Sequence, residues 1–203
     1  MDQHIKAVIF DMGGVILRSD DLTSRQELAN RYAVTEEQLE DIVFDSPTAK
    51  VATVGQISER EHWQEVFAML NVRPEDEQAF QDAFWAGDRI DRGLVKFLSD
   101  FRPHYQTGLL SNAWSGARDM LTQKYQAIDA FDTSIFSFEV GMAKPDPAIY
   151  HYILDLMQVK PEEAIFLDDF ERNIIAANQV GIHGVRFLNR EQAMRDILAL
   201  LND

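Results

Sequence analysis

The sequence predicts an α/β protein in which a parallel sheet is flanked by helices and interrupted by an inserted α-helical cap. Short, almost wholly apolar runs alternate along the chain with amphipathic stretches. Parallel strands that are covered by helices have this pattern, because neither face of the sheet meets water. Residues 18–90 break the alternation, since they contain only two glycines and no run typical of a strand. We therefore expect an α/β core with a helical insertion.

The core elements follow in chain order. Five apolar runs are the candidate strands: Ala7–Phe10, Thr107–Leu110, Ser134–Phe136, Ala164–Leu167 and Gly184–Phe187. Four amphipathic stretches are the candidate helices: Ser115–Tyr125, Pro147–Met157, Arg172–Val180 and Arg190–Leu201. Asp146 directly before Pro147 is typical of a helix N-terminus, and Asn189 with Gln192 has the spacing of a capping box. This alternation predicts a Rossmann-like parallel sheet.

Residues 18–90 carry the signals of consecutive helices. Two pairs have capping-box spacing, Thr35 with Gln38 and Ser58 with Glu61. From Trp63 onward, apolar residues recur at helical spacing, which favours the core of a helix bundle over a ligand-binding box. We assign residues 1–17 and 91–203 to the α/β core domain and residues 18–90 to the helical cap.

Composition narrows the class of protein. The chain has 203 residues, of which 46% are hydrophobic, and this is enough for a sizeable core. Its net charge of −15 argues against nucleic-acid or basic membrane-surface binding, because both need a positive field. The absence of cysteine excludes a disulfide scaffold and a thiol nucleophile. With no leader or membrane span in the sequence, we expect a soluble, cytoplasmic protein that is compatible with a monomer.

Four segments place polar residues after apolar runs. They are Asp11–Gly14, Ser111–Asn112, Gly141–Pro147 and Asp168–Asn173. In open parallel sheets, ligands bind at the carboxyl ends of the strands. The four segments can therefore converge in space although they are far apart in sequence.

Two of these segments carry carboxylates. Asp11 ends a strand and precedes two glycines, so it can ligate a hard cation, attack an electrophile, or simply cap a turn. Asp168 and Asp169 end another strand side by side, and their repulsion favours a neutralising cation or lysine over a structural cap. Oxygen ligands without cysteine point to Mg²⁺ rather than Zn²⁺.

The other two segments carry groups that suit an anion. Ser111 and the amides around Asn112 can donate to an anionic oxygen, although Ser-Asn after a strand is also common turn chemistry. Lys144 lies in a loop with two prolines, which suits an ammonium fixed beside a phosphate or carboxylate. An ordinary loop lysine before a helix is the alternative.

Together the four segments resemble, in order and spacing, the four motifs of the haloacid dehalogenase-like hydrolase superfamily. The resemblance spans essentially the whole chain, and residues 18–90 resemble the small helical cap of that family. The Asp-Met-Gly-Gly-Val opening and the Asp-Asp-x-x-x-Asn ending are most similar to its branch of small sugar-phosphate phosphatases. The resemblance implies a Mg²⁺-dependent hydrolase that dephosphorylates a small metabolite, such as a sugar phosphate, through an aspartyl-phosphate intermediate.

By position, the resemblance also implies a role for each motif residue. Asp11 would be the nucleophile, and Lys144 would neutralise both the phosphate and Asp11. The phosphoryl oxygens would bind Ser111 and the Asn112 backbone. The resemblance assigns Mg²⁺ to Asp11, the Gly13 carbonyl, Asp169 and Asp168, and Asn173 falls where relatives often carry an acid or amide.

Gly13 departs from the family pattern. Most phosphatases of this family carry a second Asp two residues after the nucleophile, where it protonates the leaving oxygen. Such a general acid is worth about 10²–10⁴-fold in rate. Three explanations for its absence are open: a substrate with a good leaving group, such as an anomeric sugar phosphate, an aryl phosphate or an acyl phosphate; a water, a cap residue or the substrate itself acting in its place; or a weak or inactive protein that binds phosphorylated metabolites. A 2-haloacid dehalogenase, which shares the nucleophile, is a further alternative to a phosphatase. Arg18, Arg25 and Trp63 are candidate substrate contacts on the cap.

Overall fold

Seven strands lie in residues 4–202, the part of the chain that the computed structural model describes. They are β1 Ala7–Phe10, β2 Leu17–Ser19, β3 Asp88–Ile90, β4 Gln106–Ser111, β5 Thr133–Phe136, β6 Ala164–Asp168 and β7 His183–Arg186. Five of them form a parallel sheet in the order β5-β4-β1-β6-β7, and β2 pairs with β3 in a separate antiparallel ribbon. The predicted Rossmann-like α/β fold is confirmed.

The predicted strands differ from the observed ones only at their ends. The span of β1 agrees, while β4 continues to Ser111, β6 includes Asp168, and β7 lies one residue earlier than expected. Phe10 pairs with both Leu109 and Leu167, so β1 lies between β4 and β6. The strands that precede the predicted site segments are therefore neighbours.

Eleven α-helices occur in the described residues. They are α1 Thr23–Arg31, α2 Glu36–Glu40, α3 Pro47–Thr53, α4 Glu59–Leu70, α5 Glu77–Phe84, α6 Arg92–Ser99, α7 Ala117–Asp119, α8 Ser137–Val140, α9 Pro147–Met157, α10 Glu171–Val180 and α11 Arg190–Asn202. The prediction of one helix over Ser115–Tyr125 is replaced by the short α7 and a π-helical turn over Met120–Lys124. None of the helices within residues 4–202 combines the length and apolar character that a membrane crossing requires.

The helical segment, α1 to α5, lies between β2 and β3. The capping boxes predicted at Thr35 and Ser58 are both present. The segment has its own buried core, in which Trp63 is 2% exposed and packs near Phe67 and Phe84. The expectation that residues 18–90 hold no strand is wrong, because β2 and β3 pair at the two ends of the segment. Each has only three residues, too few for a periodic signal.

Apolar side chains on both faces of the sheet bury its strands. Successive residues of a strand point to opposite faces. Val8 and Phe10 accordingly belong to one cluster, with helices α6 and α11, whereas Ala7 and Ile9 belong to the other, with α9 and α10. Burial on both faces explains why these runs are apolar without alternation.

Asp91 joins the helical segment to the core directly after β3. Its backbone N–H donates to the Ile16 carbonyl at 2.7 Å. Its carboxylate accepts hydrogen bonds from the Leu94 N–H at 3.0 Å, from Arg18 at 2.8 Å and from Arg190 at 3.0 Å. Burial by itself would raise the pKa of Asp91, but these donors outweigh burial and hold the pKa below its usual value.

We expect Asp91→Asn to lower the free energy of unfolding near pH 7 by about 1–3 kcal/mol, because both arginines lose an anionic partner. Since the folded pKa is lowered, this stabilisation is present above the unfolded value near 3.8 and is lost as the pH falls below it. Urea unfolding near neutral pH and below that value tests this.

The exposed Asp100, which pairs with Lys96, offers the matched control. Asp100→Asn should change the free energy of unfolding by less than about 0.5 kcal/mol. A difference between Asp91→Asn and wild type that did not shrink in acid would contradict the assigned role of the Asp91 charge.

Candidate active site

The site lies where β1, β4 and β6 end. Asp11 follows β1, whereas Ser111 and Asp168 are the last residues of their strands. Because these strands are adjacent and parallel, their carboxyl ends meet at one edge, about 5 Å from strand to strand. Lys144 reaches this edge from the loop between α8 and α9. The four predicted segments therefore converge.

Lys144 is the electrostatic centre of the site. Its Nζ lies 2.8 Å from an Asp11 oxygen and 2.6 Å from an Asp168 oxygen. The lysine is 3% exposed, Asp11 is 5% exposed and Asp168 is fully buried. Buried charges are tolerated only when paired, so each of these groups depends on the others.

Asn112 holds the loop that carries Lys144. Its side-chain Nδ2 donates to the Lys144 carbonyl and its Oδ1 accepts from the Lys144 N–H, both at 2.8 Å. Only the backbone of Asn112 was predicted to take part in the site, so this pair of side-chain hydrogen bonds is a role that the sequence did not reveal. The single available signal was an amide side chain beside the strand end, which also fits an ordinary turn.

Asp168 has its oxygens occupied by protein donors besides Lys144. The Phe170 N–H donates to Oδ1 at 2.8 Å, and Asn173 Nδ2 lies 3.0 Å from both oxygens. Tyr150 in turn donates its hydroxyl to the Asn173 carbonyl at 2.9 Å. The Asp168 carboxylate is therefore fixed in one orientation, from which it holds Lys144.

Two other carboxylates are destabilised in their charged forms. Burial raises the pKa of Asp11 to about 7, with Lys144 opposing and the charges of Asp168 and Asp169 adding to the rise. Burial and the Asp168 charge likewise raise the pKa of Asp169. One lysine therefore does not fully compensate three clustered acids.

The donor set fits a hard divalent cation. Asp11, Asp168 and Asp169 each offer an oxygen, and these oxygens lie within 4.8 Å of one another. Oδ1 of Asp169 is buried and has no hydrogen-bond partner within residues 4–202. Carboxylate and carbonyl oxygens are the ligands that Mg²⁺ prefers. A cation at this point would satisfy the Asp169 oxygen and the excess negative charge together.

Gly14 makes room for Asp169. Its φ is +75°, in the left-handed region, and a Cβ there would overlap the Asp169 carboxylate. Gly13 differs, because a Cβ at that position would meet nothing within 4 Å. Only the second of the two glycines is therefore required by the backbone.

We expect Gly14→Ala to lower the free energy of unfolding by about 1–3 kcal/mol, since alanine is strained at this φ and displaces Asp169. Gly13→Ala is the matched control and should cost less than about 0.5 kcal/mol. Urea unfolding of the two variants compares them. Equal losses would show that the left-handed backbone and the Asp169 contact are not the cause.

A cleft of about 1460 Å³ opens above the site, between the core and the helical segment. Arg18 and Arg25 both line it, but Arg18 binds Asp91 and Arg25 is buried against Asp88. Trp63 is not among the residues that line this cleft. Of the three cap candidates, two are thus engaged by carboxylates and the third packs in the helical core.

Several contacts hold the helical segment over the core. Ser137, directly after β5, donates its hydroxyl to the Thr53 carbonyl at 2.6 Å and accepts from the Ala113 N–H at 2.9 Å. Glu59 accepts from the Gly116 N–H at 3.0 Å. These residues were not predictable from the sequence, because each is an ordinary polar residue of a turn or helix end.

This fold and this arrangement of a lysine with three strand-end acids agree with the family comparison. The model of the haloacid dehalogenase-like hydrolases matches residues 5–181, and the chain belongs to this family. Family membership makes the protein a hydrolase by class. The resemblance inferred from the four motifs is thereby confirmed.

Individual relatives match this chain over part of their length or at low sequence identity. The chain is similar to the rat (Rattus norvegicus) bifunctional epoxide hydrolase 2, with 36% identity over 55% of this chain and 21% of the relative, so it spans about a fifth of that protein. It is 22% identical to a D-ribitol-5-phosphate phosphatase of Bacteroides thetaiotaomicron over 98% of this chain and 99% of that one.

Among solved structures, the chain is similar to a family enzyme from Bacteroides thetaiotaomicron in complex with magnesium and inorganic phosphate. The TM-score is 0.74 at 21% identity, over 90% of this chain and 93% of that chain. Similarity at this level of identity establishes the shared fold.

Proposed function

We propose that this chain is a Mg²⁺-dependent phosphatase that acts on a small phosphorylated metabolite through an aspartyl phosphate at Asp11. The observation that carries the proposal is the buried cluster of Lys144 with three strand-end carboxylates at the floor of an open cleft. Phosphoryl transfer depends mainly on positioning and on neutralising charge, and this cluster offers both.

Each protein group has a distinct part in the reaction. Asp11 attacks phosphorus while the bond to the leaving oxygen breaks, and water then hydrolyses the acyl phosphate to restore the carboxylate. Lys144, already 2.8 Å from Asp11, neutralises the phosphoryl oxygens beside it. Ser111 and the Asn112 backbone hydrogen-bond those oxygens, and the Asn112 side chain keeps Lys144 in place.

Asp11, the Gly13 carbonyl and Asp169 are the groups that would hold Mg²⁺ directly. When bound, the ion supplies charge neutralisation for the phosphate among the three carboxylates. Asp168 was also predicted to be a ligand. Its contacts with Lys144, Asn173 and the Phe170 N–H favour a different part, in which Asp168 fixes the lysine and adds negative charge behind the site.

We also propose that residues 18–90 act as a cap over residues 1–17 and 91–203. The cleft lies between these two parts, and a separate core supports the helical segment. Covering the cleft during reaction would exclude bulk water from the acyl phosphate and bring specificity residues to the substrate.

The comparisons support the proposal at the level of chemistry. The ribitol-phosphate phosphatase matches over nearly the whole of both chains, and the structure with magnesium and inorganic phosphate shares the fold. Both favour a small phosphorylated substrate, and sugar phosphates are the class that the motif resemblance implies. A 2-haloacid dehalogenase is disfavoured, because three clustered acids with one lysine need a cation that attack on carbon does not use.

Gly13 supports a second candidate, a protein that binds phosphorylated metabolites without turnover. The loop after the nucleophile, Met12 to Gly14, provides no acid side chain. This candidate predicts that inorganic phosphate or a phosphate ester binds with Mg²⁺ while no ester is cleaved.

The deciding experiment measures phosphate release from 4-nitrophenyl phosphate and a panel of metabolite phosphates, with Mg²⁺ and with excess chelator. The proposal expects release that needs Mg²⁺, and an aspartyl phosphate at Asp11 detectable by mass spectrometry after acid quenching. Binding of phosphate by calorimetry without release from any ester would favour the second candidate.

A further inference from the structure

Three aromatic rings form a wall of the cleft that contains Asp11. We call Phe44, Trp85 and Trp114 the aromatic wall. Phe44 stacks on Trp114, with 5.9 Å between ring centroids and 24° between planes, and meets Trp85 at 5.9 Å and 66°. Phe44 keeps 41% of its surface exposed, although the preceding Val43 is fully buried. The aromatic wall therefore offers open ring surface to whatever enters the cleft.

The rings of the aromatic wall are held in place. The guanidinium of Arg25 packs against Phe44 and Trp85, with 5.9 Å and 5.8 Å to their centroids. Arg25 is itself anchored by Glu40 and Asp88. The Trp114 indole N–H lies 3.3 Å from the Thr53 hydroxyl. A contact surface that is fixed before binding costs little entropy when a ligand covers it.

The aromatic wall begins close to the reacting centre. Trp114 follows Ser111 by three residues, so their Cα atoms lie no more than about 11 Å apart. Ser111 ends the strand beside β1, whose end carries Asp11. A phosphoryl group at Asp11 and Ser111 can therefore belong to a molecule whose body extends toward Trp114 and Phe44.

The loop that follows the nucleophile provides no proton donor for a leaving oxygen. Met12, Gly13 and Gly14 follow the nucleophile and none ionises. The Lys144 ammonium is held between two carboxylates at 2.8 Å and 2.6 Å. An alkoxide leaving without a proton is strongly disfavoured. A phenol ionises near pH 10, as tyrosine does, so a phenolate can leave unprotonated.

We propose that the substrate of this site is a phosphomonoester of a phenol, whose ring lies against the aromatic wall. This inference rests on the proposed phosphatase function. An Asp11 oxygen bonds to phosphorus, the bond from phosphorus to the aryl oxygen breaks, and the electron pair leaves as a phenolate that solvent protonates. Water then attacks phosphorus, releasing phosphate and a proton and restoring Asp11.

Side chains of both charge signs line the cleft beside the aromatic wall. Glu37, Asp41 and Asp45 contribute carboxylates, and Lys50, Arg89 and Lys124 contribute cations. The charge of the lining therefore does not select the sign of a second group on the substrate. An aryl ring can stack on these rings, whereas a sugar offers them only the C–H groups of one face. The aryl ester thus differs from the sugar phosphate that the motif resemblance implies.

The test compares kcat/KM of the full chain with Mg²⁺ for matched esters. Phenyl phosphate and 2-naphthyl phosphate have an aromatic ring and a phenolic oxygen, benzyl phosphate keeps the aromatic ring but has an alkyl oxygen, and glucose 1-phosphate has a sugar ring in place of the aromatic one. We expect the aryl esters to exceed benzyl phosphate by about 10²-fold or more, the effect of a missing general acid. Substituted phenyl phosphates should give a steep dependence on the pKa of the leaving phenol.

Phe44→Leu tests the contact of the substrate ring with the aromatic wall, and Gly13→Asp tests the missing general acid. Phe44→Leu keeps apolar volume but removes a ring, and should lower kcat/KM for 2-naphthyl phosphate about 3- to 10-fold without changing that for glucose 1-phosphate. Tyr152→Ala, at an exposed aromatic outside the cleft lining, is the control. Gly13→Asp, into open space, should raise kcat/KM for benzyl phosphate more than for phenyl phosphate and flatten the dependence on leaving-group pKa.

The results distinguish a failure of the aryl-ester assignment from a failure of the proposed phosphatase function. Mg²⁺-dependent turnover in which glucose 1-phosphate or benzyl phosphate equals the aryl esters, or in which Phe44→Leu changes all esters alike, overturns the aryl assignment and leaves the phosphatase intact. Absence of turnover for every ester, 4-nitrophenyl phosphate included, overturns both.

Discussion

Asp11→Asn is expected to lower kcat for phosphate release by about 10⁴-fold or more, the largest effect of any single change. The amide has the shape of the carboxylate but is not a nucleophile, so no aspartyl phosphate can form. Folding should be preserved, because removing a buried charge whose pKa is raised to about 7 relieves part of the repulsion in the cluster. Initial rates with 4-nitrophenyl phosphate and Mg²⁺ measure the loss.

Asp82, an exposed acid on the cleft lining, provides the control. Asp82→Asn makes the same chemical change in the same cleft and should leave kcat within about 2-fold, as expected of a surface substitution. If Asp11→Asn retained a substantial part of the rate while Asp82→Asn did not, the nucleophile would have to be assigned elsewhere.

The second large effect concerns Lys144. Lys144→Met keeps the apolar stem but leaves Asp11 and Asp168 buried without their common cation, at a cost of about 3–5 kcal/mol in the free energy of unfolding. The phosphoryl oxygens lose their fixed ammonium as well, and removal of one such stabilising group lowers kcat by about 10²–10³-fold. Urea unfolding and initial rates measure the two losses separately.

A second substitution keeps this prediction testable if the single variant folds poorly. Lys144→Met combined with Asp168→Asn removes one of the stranded charges and retains the Asn173 and Phe170 contacts in part. The double variant should regain at least half of the lost stability while its kcat stays low. Recovery of activity together with stability would mean that Lys144 acts only on folding.

The main sheet was predictable because burial on both faces leaves a mark in a single stretch of sequence. Ala7–Phe10 and Ala164–Leu167 are continuous apolar runs, and both are strands of the observed sheet. The antiparallel strands β2 and β3 contain no continuous apolar run. Each strand is three residues long, and they are joined only because residues about 70 positions apart meet in the fold.

The residues of the site were predictable from the sequence, but their contacts were not. Asp11, Ser111 and the pair Asp168–Asp169 were identifiable because chemistry-bearing side chains lie at the ends of apolar strands, and parallel topology brings strand ends together. Lys144 was identifiable from its loop with two prolines, which the structure places between α8 and α9. The sequence could not predict which groups each carboxylate would pair with. Sequence suggested that Asp168 binds metal, whereas its oxygens accept from Lys144, Asn173 and a backbone N–H. Which carboxylate remains unpartnered depends on side-chain directions at the strand end.

The aromatic residues show most directly what residue spacing cannot predict. Helical spacing assigned Trp63 to a bundle core, and it is buried there. Spacing could not separate Trp63 from Phe44, which stands in a π-helical turn and keeps 41% of its surface exposed in the cleft. A ring contributes similarly to a local pattern whether it faces a core or a cleft.

Local order in the chain therefore determined the fold class, the insertion and the residue types at the strand ends. Tertiary packing decided which acids pair with Lys144, which glycine must remain glycine, and which rings face the cleft. The physical reason is that periodicity and strand-end chemistry act over a few residues, whereas charge pairing, overlap and exposure depend on atoms brought together from distant parts of the chain.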